Sequence, residues 1–390
     1  MSTEYLERGV SPTKDDVHRA IAKHSAGEVP GAFCKVIADP AGDPNMLAVM
    51  HADGAGTKSS VAYLWYAETG DASVFRGIAQ DSLVMNTDDL LCVGATSGLL
   101  VSNTIGRNAH RVGGDVIAAL IDGYESCAAM LRSHGVEITL TGGETADVGD
   151  LVRTVIADST VFARVPRARV GDFSRVEPGD LIVAFSSTGR ATYESEENSG
   201  IGSNGLTLAR HALLAHSYAE RFLESFSETI PAAKVYCGRY QLKDSLPGTT
   251  HHLAWGLLSP TRTYLPIARA IFASELAPQV SGILHCSGGG QTKCRGFGRG
   301  LHYVKDALFP TPPLFQAISA AGIEGKQMYQ VFNMGHRLEL YVRPGAAAGI
   351  ALLAERFGVD AKIVGRIEEN AGTDANRVTI AIDGQSYEYA

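Results

Sequence analysis

Three short segments in the first half of the sequence carry carboxylates beside glycines or within an apolar stretch. The first, residues 53–59, has the sequence DGAGTKS and follows an apolar run that predicts a buried strand. Two glycines allow a tight turn, and free backbone N–H groups at a following helix start favour a phosphate. An ordinary strand–turn–helix connection would look the same, and the Walker spacing is absent. The predicted phosphate-binding residues here are Asp53, Gly54, Gly56, Thr57 and Lys58, with Lys58 also a candidate catalytic group.

The second segment, residues 81–90, has the sequence DSLVMNTDDL and places three acids in an apolar helix. Asp81 and Asp88 are seven residues apart and share one helical face. Burying carboxylates is costly unless a cation or hydrogen-bond donors balance them, and Mg²⁺ prefers oxygen ligands and binds phosphates. Alternatively, these acids cap the helix or are exposed to solvent and bind no metal. We predict that Asp81, Asp88 and Asp89 contribute to a magnesium site, with Asp89 catalytic.

The third segment, residues 141–147, has the sequence TGGETAD and predicts another strand followed by glycines and an acid. Gly142, Gly143 and Thr145 are predicted to bind phosphate, and Glu144 to bind metal. Three such segments together favour one shared Mg–nucleotide site. The predicted metal ligands are Asp53, Asp81, Asp88, Asp89 and Glu144.

The second half offers polar groups suited to a phosphorylated substrate. A glycine triplet, Gly288, Gly289 and Gly290, follows a predicted strand and could cradle phosphate, and Arg262 could pair with a phosphate through two N–H groups. His285 could move protons near neutral pH, or it could be a histidine satisfied in the core. The remaining predicted substrate-binding residues are Ser203, Asn204 and Asn333, the last of which could instead fix a turn.

These segments require strands and helices that present them together. Periodicity and turn residues predict two α/β units, with a boundary in the turn-rich stretch 164–180. We expect residues 1–172 to form an N-terminal ATP- and Mg-binding domain and residues 173–390 a C-terminal substrate-binding domain. Residues 188–202 and 215–257, rich in Ser, Glu, Gly and Thr, are predicted to be surface excursions. The other predicted elements are helices at 78–93, 115–134, 205–216, 264–276 and 345–357, a helix after a capping box at Thr13, and strands at 46–53, 136–141, 152–165, 181–186 and 281–286.

Composition narrows the class of protein. The 390 residues are 45% hydrophobic and 19% charged, with a net charge of −8, which suits a globular protein with a large core. We find no basic stripe for nucleic acid, no apolar stretch that would span a membrane, and no secretory signal. The six cysteines form no CxxC pair, so we expect reduced thiols and a cytoplasmic protein.

Taken together, the motifs resemble the aminoimidazole ribonucleotide synthetases, also called phosphoribosylformylglycinamidine cyclo-ligases. DGAGTK at 53–58, the acidic helix and GGETA at 142–146 are shared with a wider ATP-using superfamily. PTRTY at 260–264 and MYQVFNMG at 328–335 point to the cyclo-ligase branch. The resemblance implies a two-domain α/β fold whose N-terminal sheet forms a homodimer. It also implies ATP- and Mg²⁺-dependent closure of an imidazole ring from formylglycinamidine ribonucleotide in purine biosynthesis.

Several positions depart from the family pattern. Asp88 stands where the pattern has Asn, His285 begins HCSGGG where many members have HITGGG, and His336-Arg337 replaces small or apolar residues. About a dozen extra residues precede Ser203, and the N-terminal glycine-rich segment is reduced to PGAF at 30–33. Two alternatives remain: a sibling enzyme, such as a small-molecule kinase or a selenophosphate-synthetase-like protein, and a nucleotide-binding maturation protein without turnover.

Overall fold

The structure is a computed structural model that describes residues 3–10 and 15–390. The capping box predicted at Thr13 lies outside these residues, although the helix expected to follow it is present. The helices within the described ranges are α1 Thr3–Leu6, α2 Asp15–Ile21, α3 Lys58–Thr69, α4 Phe75–Leu91, α5 Gly114–Ser133, α6 Leu206–Leu213, α7 Ser217–Arg221, α8 Leu253–Leu258, α9 Leu265–Phe272, α10 Pro313–Ala320, α11 Gly325–Val331 and α12 Ala347–Glu355.

The strands fall into two main sheets and one two-stranded sheet. They are β1 Val36–Ala38, β2 Met46–Gly54, β3 Leu99–Arg107, β4 Ile138–Asp147, β5 Val155–Pro166, β6 Leu181–Ser186, β7 Thr188–Gly189, β8 Asn198–Ser199, β9 Val280–His285, β10 Leu301–Lys305, β11 His336–Val342, β12 Ala361–Glu369, β13 Arg377–Ile382 and β14 Gln385–Tyr389.

The first sheet has five strands in the order β1-β2-β5-β3-β4. All neighbouring pairs are antiparallel except β3 and β4. Helices cover one face, and α4 packs against both β2 and β5. The other face exposes large apolar side chains, among them Met50 at 66% and Leu100 at 45%. Met50 and Leu100 are both in register with Phe162 of β5, so they lie in one row across the sheet.

The second sheet has seven strands in the order β14-β13-β10-β12-β6-β11-β9. The chain passes from the first sheet to the second between Pro166, where β5 ends, and Leu181, where β6 begins. Strand β6 lies near the centre, and antiparallel β11 and β12 flank it. Its apolar run LIVAFS is buried along nearly its whole length, as a strand covered on both faces must be.

Helix α4 is held between the two units. It packs on the first sheet on one side and contacts α9 and β9 of the second unit on the other. Its residues from Asp81 to Leu91 are all buried, including the carboxylates. A helix buried on every side must pair its polar groups internally, so the acids of α4 need partners within the protein.

Most predicted elements are confirmed, but two predictions are wrong. Residues 215–257 are not a surface excursion, because Tyr218, Tyr236 and Leu242 are fully buried in the second hydrophobic cluster. The glycines at 142–143 do not follow a strand but lie inside β4, which continues to Asp147. Within the described residues, no helix is both long and apolar enough to cross a bilayer.

Candidate active site

A buried ion pair joins the first motif to the acidic helix. The Lys58 ammonium lies 2.9 Å from Oδ1 of Asp81, and both side chains are fully buried. Oδ1 also accepts hydrogen bonds from the backbone N–H of Thr261, at 2.7 Å, and from its hydroxyl, at 2.5 Å. Burial lowers the pKa of Lys58, and Asp81 opposes that shift. Lys58 is therefore the cation that balances Asp81, and its contacts do not support the predicted phosphate-binding role.

Asp88 has an equivalent structural position about two turns further along the same face of α4. Its carboxylate accepts a hydrogen bond of 2.7 Å from the Thr263 hydroxyl and one of 3.1 Å from the Tyr264 N–H. Burial raises the pKa of Asp88 to about 7, although Arg337, 3.6 Å away, opposes the shift. Asp81 and Asp88 thus bind the 261–264 segment, and these contacts do not support their predicted role as metal ligands.

Asp89 lies on a different face of α4 and is paired with two histidines. Its Oδ1 lies 2.6 Å from Nδ1 of His285, and its Oδ2 lies 3.3 Å from Nε2 of His51. Burial alone would raise the pKa of Asp89, but Lys293 and the hydrogen bond from His285 lower it to about 2. Asp89 is therefore an anion at neutral pH, as a metal ligand must be.

His285 is fixed between Asp89 and Arg337. Burial, together with the positive charge of Arg337, lowers the pKa of His285 to about 4, so its ring is neutral at pH 7. Nδ1–H then donates to Asp89, and Nε2 accepts from Nη2 of Arg337 at 3.0 Å. Both nitrogens are occupied and the side chain is fully buried. These contacts favour the core-histidine alternative over the predicted proton transfer.

Arg262 is also directed into the protein. Its guanidinium pairs with both carboxylate oxygens of Glu194, at 2.9 and 2.5 Å. It also donates to three backbone carbonyls, those of Ser186, Thr188 and Gly189. Every arm of its fork has a protein acceptor, so these contacts do not support the predicted phosphate-binding role.

Asn333 fixes a turn, which was the alternative to its predicted substrate-binding role. Its amide group donates to the carbonyls of Gly200 and Ile201, and its Oδ1 accepts from the Ser187 hydroxyl and the Gly335 N–H. The neighbouring Met334 has a positive φ of 53°, which this network stabilises. Asn333 thus holds the segment before Ser203, and its contacts do not support the predicted substrate-binding role.

The other predicted segments meet where the two units join. The Thr57 hydroxyl lies 2.9 Å from that of Thr207 in α6. The Ser203 hydroxyl lies 3.1 Å from that of Thr261. These contacts bring the turn after β2, the SNG segment and the PTRTY segment to one place.

The glycine triplet lies beside them. A Cβ added at Gly288 would stand 3.8 Å from the amide nitrogen of Asn204, and Gly288 is exposed. Gly290 has a φ of 50°, and a Cβ there would stand 2.5 Å from the carbonyl oxygen of Phe332. Gly289 also has a positive φ, of 93°. The triplet is therefore a turn that needs glycine, with its exposed edge facing the SNG segment.

Asp53 and Glu144 are on strands of the same sheet but far apart. Gly54, Asp158, Thr104 and Glu144 are in register across β2, β5, β3 and β4. Three strand spacings of about 4.8 Å put β2 about 14 Å from β4. One ion therefore cannot be held directly by both acids, and Gly142, Gly143, Glu144 and Thr145 lie exposed on the sheet edge.

A carboxylate that the sequence interpretation missed lies beside Asp53. Burial and the negative charge of Asp53 raise the pKa of Asp158. Asp158 is packed so closely against Gly54 that a Cβ there would stand 1.7 Å from its Oδ1. Two neighbouring carboxylates of this kind would be stabilised by a bound cation.

His51, Cys34 and Lys293 were missed too. His51 precedes Asp53 by two residues, so strand alternation could have placed it on the same face. Lys293 donates to the Ser287 hydroxyl at 2.6 Å and lies over the ring of Phe33. Its position three residues after the glycine triplet was a visible signal, whereas nothing local marked Cys34.

Comparison with known proteins supports the family resemblance of the first unit. Residues 33–165 match the family described as AIR synthase related protein, N-terminal domain. The chain therefore carries an AIR-synthase-related N-terminal domain, and the resemblance predicted from its motifs is confirmed.

Two similar proteins of known name are both phosphoribosylformylglycinamidine cyclo-ligases. The chain is 27% identical over 329 residues to the phosphoribosylformylglycinamidine cyclo-ligase of Methanococcus vannielii, covering 84% of this chain and 79% of that protein. It is 26% identical over 334 residues to the protein of the same name from Methanocaldococcus jannaschii, covering 85% of this chain and 81% of that protein. This chain is thus similar to cyclo-ligases over most of its length.

Solved structures share the fold. Thermotoga maritima PurL complexed with ATP matches with a TM-score of 0.52 and 14% identity, over 97% of this chain. This chain spans about half of that protein, 48% of its length. The HypE–HypF complex matches with a TM-score of 0.55 and 13% identity, over 96% of this chain and 98% of that one. The predicted AIR-synthetase-like α/β fold is confirmed.

Proposed function

We propose that the protein closes the imidazole ring of aminoimidazole ribonucleotide, using ATP and formylglycinamidine ribonucleotide and releasing ADP and phosphate. The observation that carries this proposal is the meeting of three motif segments at the junction of the two units, through the Thr57–Thr207 and Ser203–Thr261 contacts. Relatives over most of the chain bear the cyclo-ligase name, which supports the same reaction.

Magnesium fits the residues that line the first sheet at this junction. Asp89 is ionised, and Asp53 stands close enough to Asp158 to raise its pKa. We assign Asp53 as a residue that would hold Mg²⁺ directly and Asp89 as one that would hold it through water. When bound, the ion would neutralise charge on the transferring phosphoryl group. Gly56, which has a φ of 57° and open space at its Cβ position, would let phosphate approach the backbone.

The residues of the second unit would hold the substrate. Ser203 and Asn204 are half-buried beside the exposed Gly288 and present polar groups to the same space. We assign them and the glycine turn to the substrate or its ribose phosphate, with Lys293 adding positive charge. We accordingly propose that residues 1–172 form the ATP-binding domain and residues 173–390 the substrate-binding domain.

The chemistry needs alignment more than a covalent nucleophile. The formamide oxygen of the substrate attacks the γ-phosphorus, and ADP leaves. The amidine nitrogen then attacks the activated carbon, the C–O bond to the phosphoryl group breaks, and phosphate departs as a proton is lost. Holding the two reactants in one orientation lowers the barrier of such a transfer.

We further propose that the protein is a homodimer formed through the open face of the first sheet. Met50 and Leu100 form an exposed apolar row there, continued by Ile37 and Ile156, which are 45% and 39% exposed. A contiguous apolar face of this kind favours association. A second copy of the chain would cover it.

The proposed reaction is tested by incubating the protein with Mg–ATP, with and without formylglycinamidine ribonucleotide. We expect ADP release that depends on the substrate and equals the aminoimidazole product. ADP release with a different acceptor would favour a sibling enzyme. ATP binding without turnover on any acceptor would favour a nucleotide-binding maturation protein.

A further inference from the structure

Three different metal-ligating side chains converge where α4 ends against the first sheet. Cys34 precedes β1, His51 lies on β2, and Asp89 lies near the end of α4. Their ligand atoms all lie within 4.8 Å of one another. Cys34 and Asp89 are only 8% and 6% exposed, whereas His51 is partly exposed. The cluster is therefore enclosed on two sides and open on the third.

The hydrogen bonds around His51 fix which ring nitrogen faces this cluster. The amide nitrogen of Asn86 lies 3.0–3.1 Å from three backbone carbonyls, those of Asp53, Ser82 and Ser159. The Asn86 amide must therefore point its Oδ1 the other way, towards Nδ1 of His51 at 2.9 Å. Nδ1–H therefore donates to Asn86, and Nε2 is the ring nitrogen that faces Asp89.

The partner of Asp89 completes an arrangement typical of bound metals. His285 donates to Oδ1, which leaves Oδ2 on the side of His51, 3.3 Å from Nε2. Metal-ligating histidines and carboxylates characteristically have their other polar atoms held by neighbouring groups in this way. Asn86 orients His51, and His285 orients Asp89, before any ion is present.

We propose that Cys34, His51 and Asp89 bind one borderline-soft divalent cation of the zinc type, with a fourth position open to solvent or substrate. Sulfur, imidazole nitrogen and a carboxylate suit Zn²⁺ or Co²⁺, whereas Mg²⁺ prefers oxygen alone. Three protein ligands with one open position are the pattern of catalytic rather than structural zinc.

Binding requires the loss of one proton. The Cys34 thiol gives its proton to solvent as the metal–sulfur bond forms, so uptake of the cation releases about one proton per chain at neutral pH. No oxidant or reductant is involved. The site deepens the proposed function because Asp89 belongs to both, but binding of the cation does not depend on turnover.

A second cluster with similar side chains does not carry the same inference. Cys286, His336 and Glu339 also bring ligand atoms within 4.8 Å, but all three are buried. The Lys305 ammonium lies 2.5 Å from Glu339 and already supplies the balancing positive charge. The cluster around Asp89 is open on one side, so an ion and a substrate oxygen can both reach it.

Cobalt provides a direct test, because a cobalt–thiolate bond absorbs in the near ultraviolet. The full-length protein is stripped with a chelator and titrated with Co²⁺. We expect saturation at one equivalent per chain, with a thiolate charge-transfer band and the visible bands of a four-coordinate ion. Zn²⁺ should displace the cobalt, and a large excess of Mg²⁺ should not.

Matched variants assign the bands to the three residues. Cys34→Ser should abolish the charge-transfer band. His51→Gln should weaken cobalt binding by more than about 100-fold, because losing a residue that only orients a metal ligand weakens binding by at most about that factor. Cys237→Ser, at an exposed cysteine, should leave both unchanged. Circular dichroism checks that each variant is folded, and His51, being partly exposed, provides a second variant if Cys34→Ser does not fold.

Three outcomes would overturn the site. They are no charge-transfer band in the parent protein, a band that survives in Cys34→Ser, or displacement of cobalt by Mg²⁺. Each would leave Cys34, His51 and Asp89 as a hydrogen-bonded polar cluster. The proposed reaction is measured separately, so cobalt binding without ring closure would contradict only the reaction, and ring closure without cobalt binding only this site.

Discussion

Substitution of Arg262 tests whether this side chain stabilises the fold or binds substrate phosphate. Its side chain is buried, makes two hydrogen bonds to Glu194 and three to backbone carbonyls, and crosses from α9's leading segment to the β6–β7 connection. Replacing it with alanine would leave the Glu194 carboxylate, 11% exposed, without its positively charged partner. Breaking a buried ion pair from one side costs about 3–5 kcal/mol. We expect Arg262→Ala to lower the free energy of unfolding by that amount.

Urea denaturation followed by circular dichroism measures this loss. Arg262→Lys should retain the charge but lose the two-pronged geometry, so its loss should be smaller than that of alanine. Arg299→Ala, which removes an exposed pair with Asp374, serves as the matched control and should leave the midpoint unchanged. If Arg262→Ala leaves the stability unaltered and raises the KM for the ribonucleotide, Arg262 does not stabilise the fold and is instead a phosphate ligand.

Three further predictions concern the site, the pH dependence and the dimer. Asp89→Asn should lower turnover by more than about 100-fold while the melting temperature changes little, and near-normal kcat would exclude Asp89 from the site. Burial lowers the pKa of His211 to about 2, so the unfolded chain binds its proton first and stability falls as pH drops below about 6.5. His211→Asn should therefore flatten the decline of the free energy of unfolding, measured by urea denaturation, between pH 6.5 and pH 4 by up to about 1.4 kcal/mol per pH unit, and an unchanged slope would contradict this origin. Met50→Glu should convert a dimer to a monomer in light scattering, while Leu352→Glu, at a 63% exposed residue of α12, should not; a Met50→Glu dimer would contradict the proposed interface.

The fold was largely predictable because its patterns are local. Strand β6 matches the predicted 181–186 range, and α5 falls within one residue of its predicted range. Residues 215–257 were misjudged because polar composition was taken as exposure. Their buried residues, such as Tyr218 and Leu242, are scattered among short helices and turns, and they give no regular period.

The site was predictable as a set of segments but not as a set of roles. The sequence placed acids on α4, yet only the packed structure shows that Asp81 and Asp88 accept from the 261–264 segment while Asp89 faces His51. Thr261, the partner of Asp81, lies 180 residues away from it in the chain. Periodicity assigns a residue to a face of its helix, but tertiary contacts decide what that face meets.

If ATP activates the formamide oxygen so that the ring can close, that oxygen must leave in the released phosphate, and oxygen labelling follows it. Formylglycinamidine ribonucleotide carrying heavy oxygen in its formyl group is converted with Mg–ATP, and the released phosphate is analysed by mass spectrometry. We expect each aminoimidazole ribonucleotide formed to be matched by one phosphate carrying the label. Unlabelled phosphate, or ADP formed without the ring product, would contradict it.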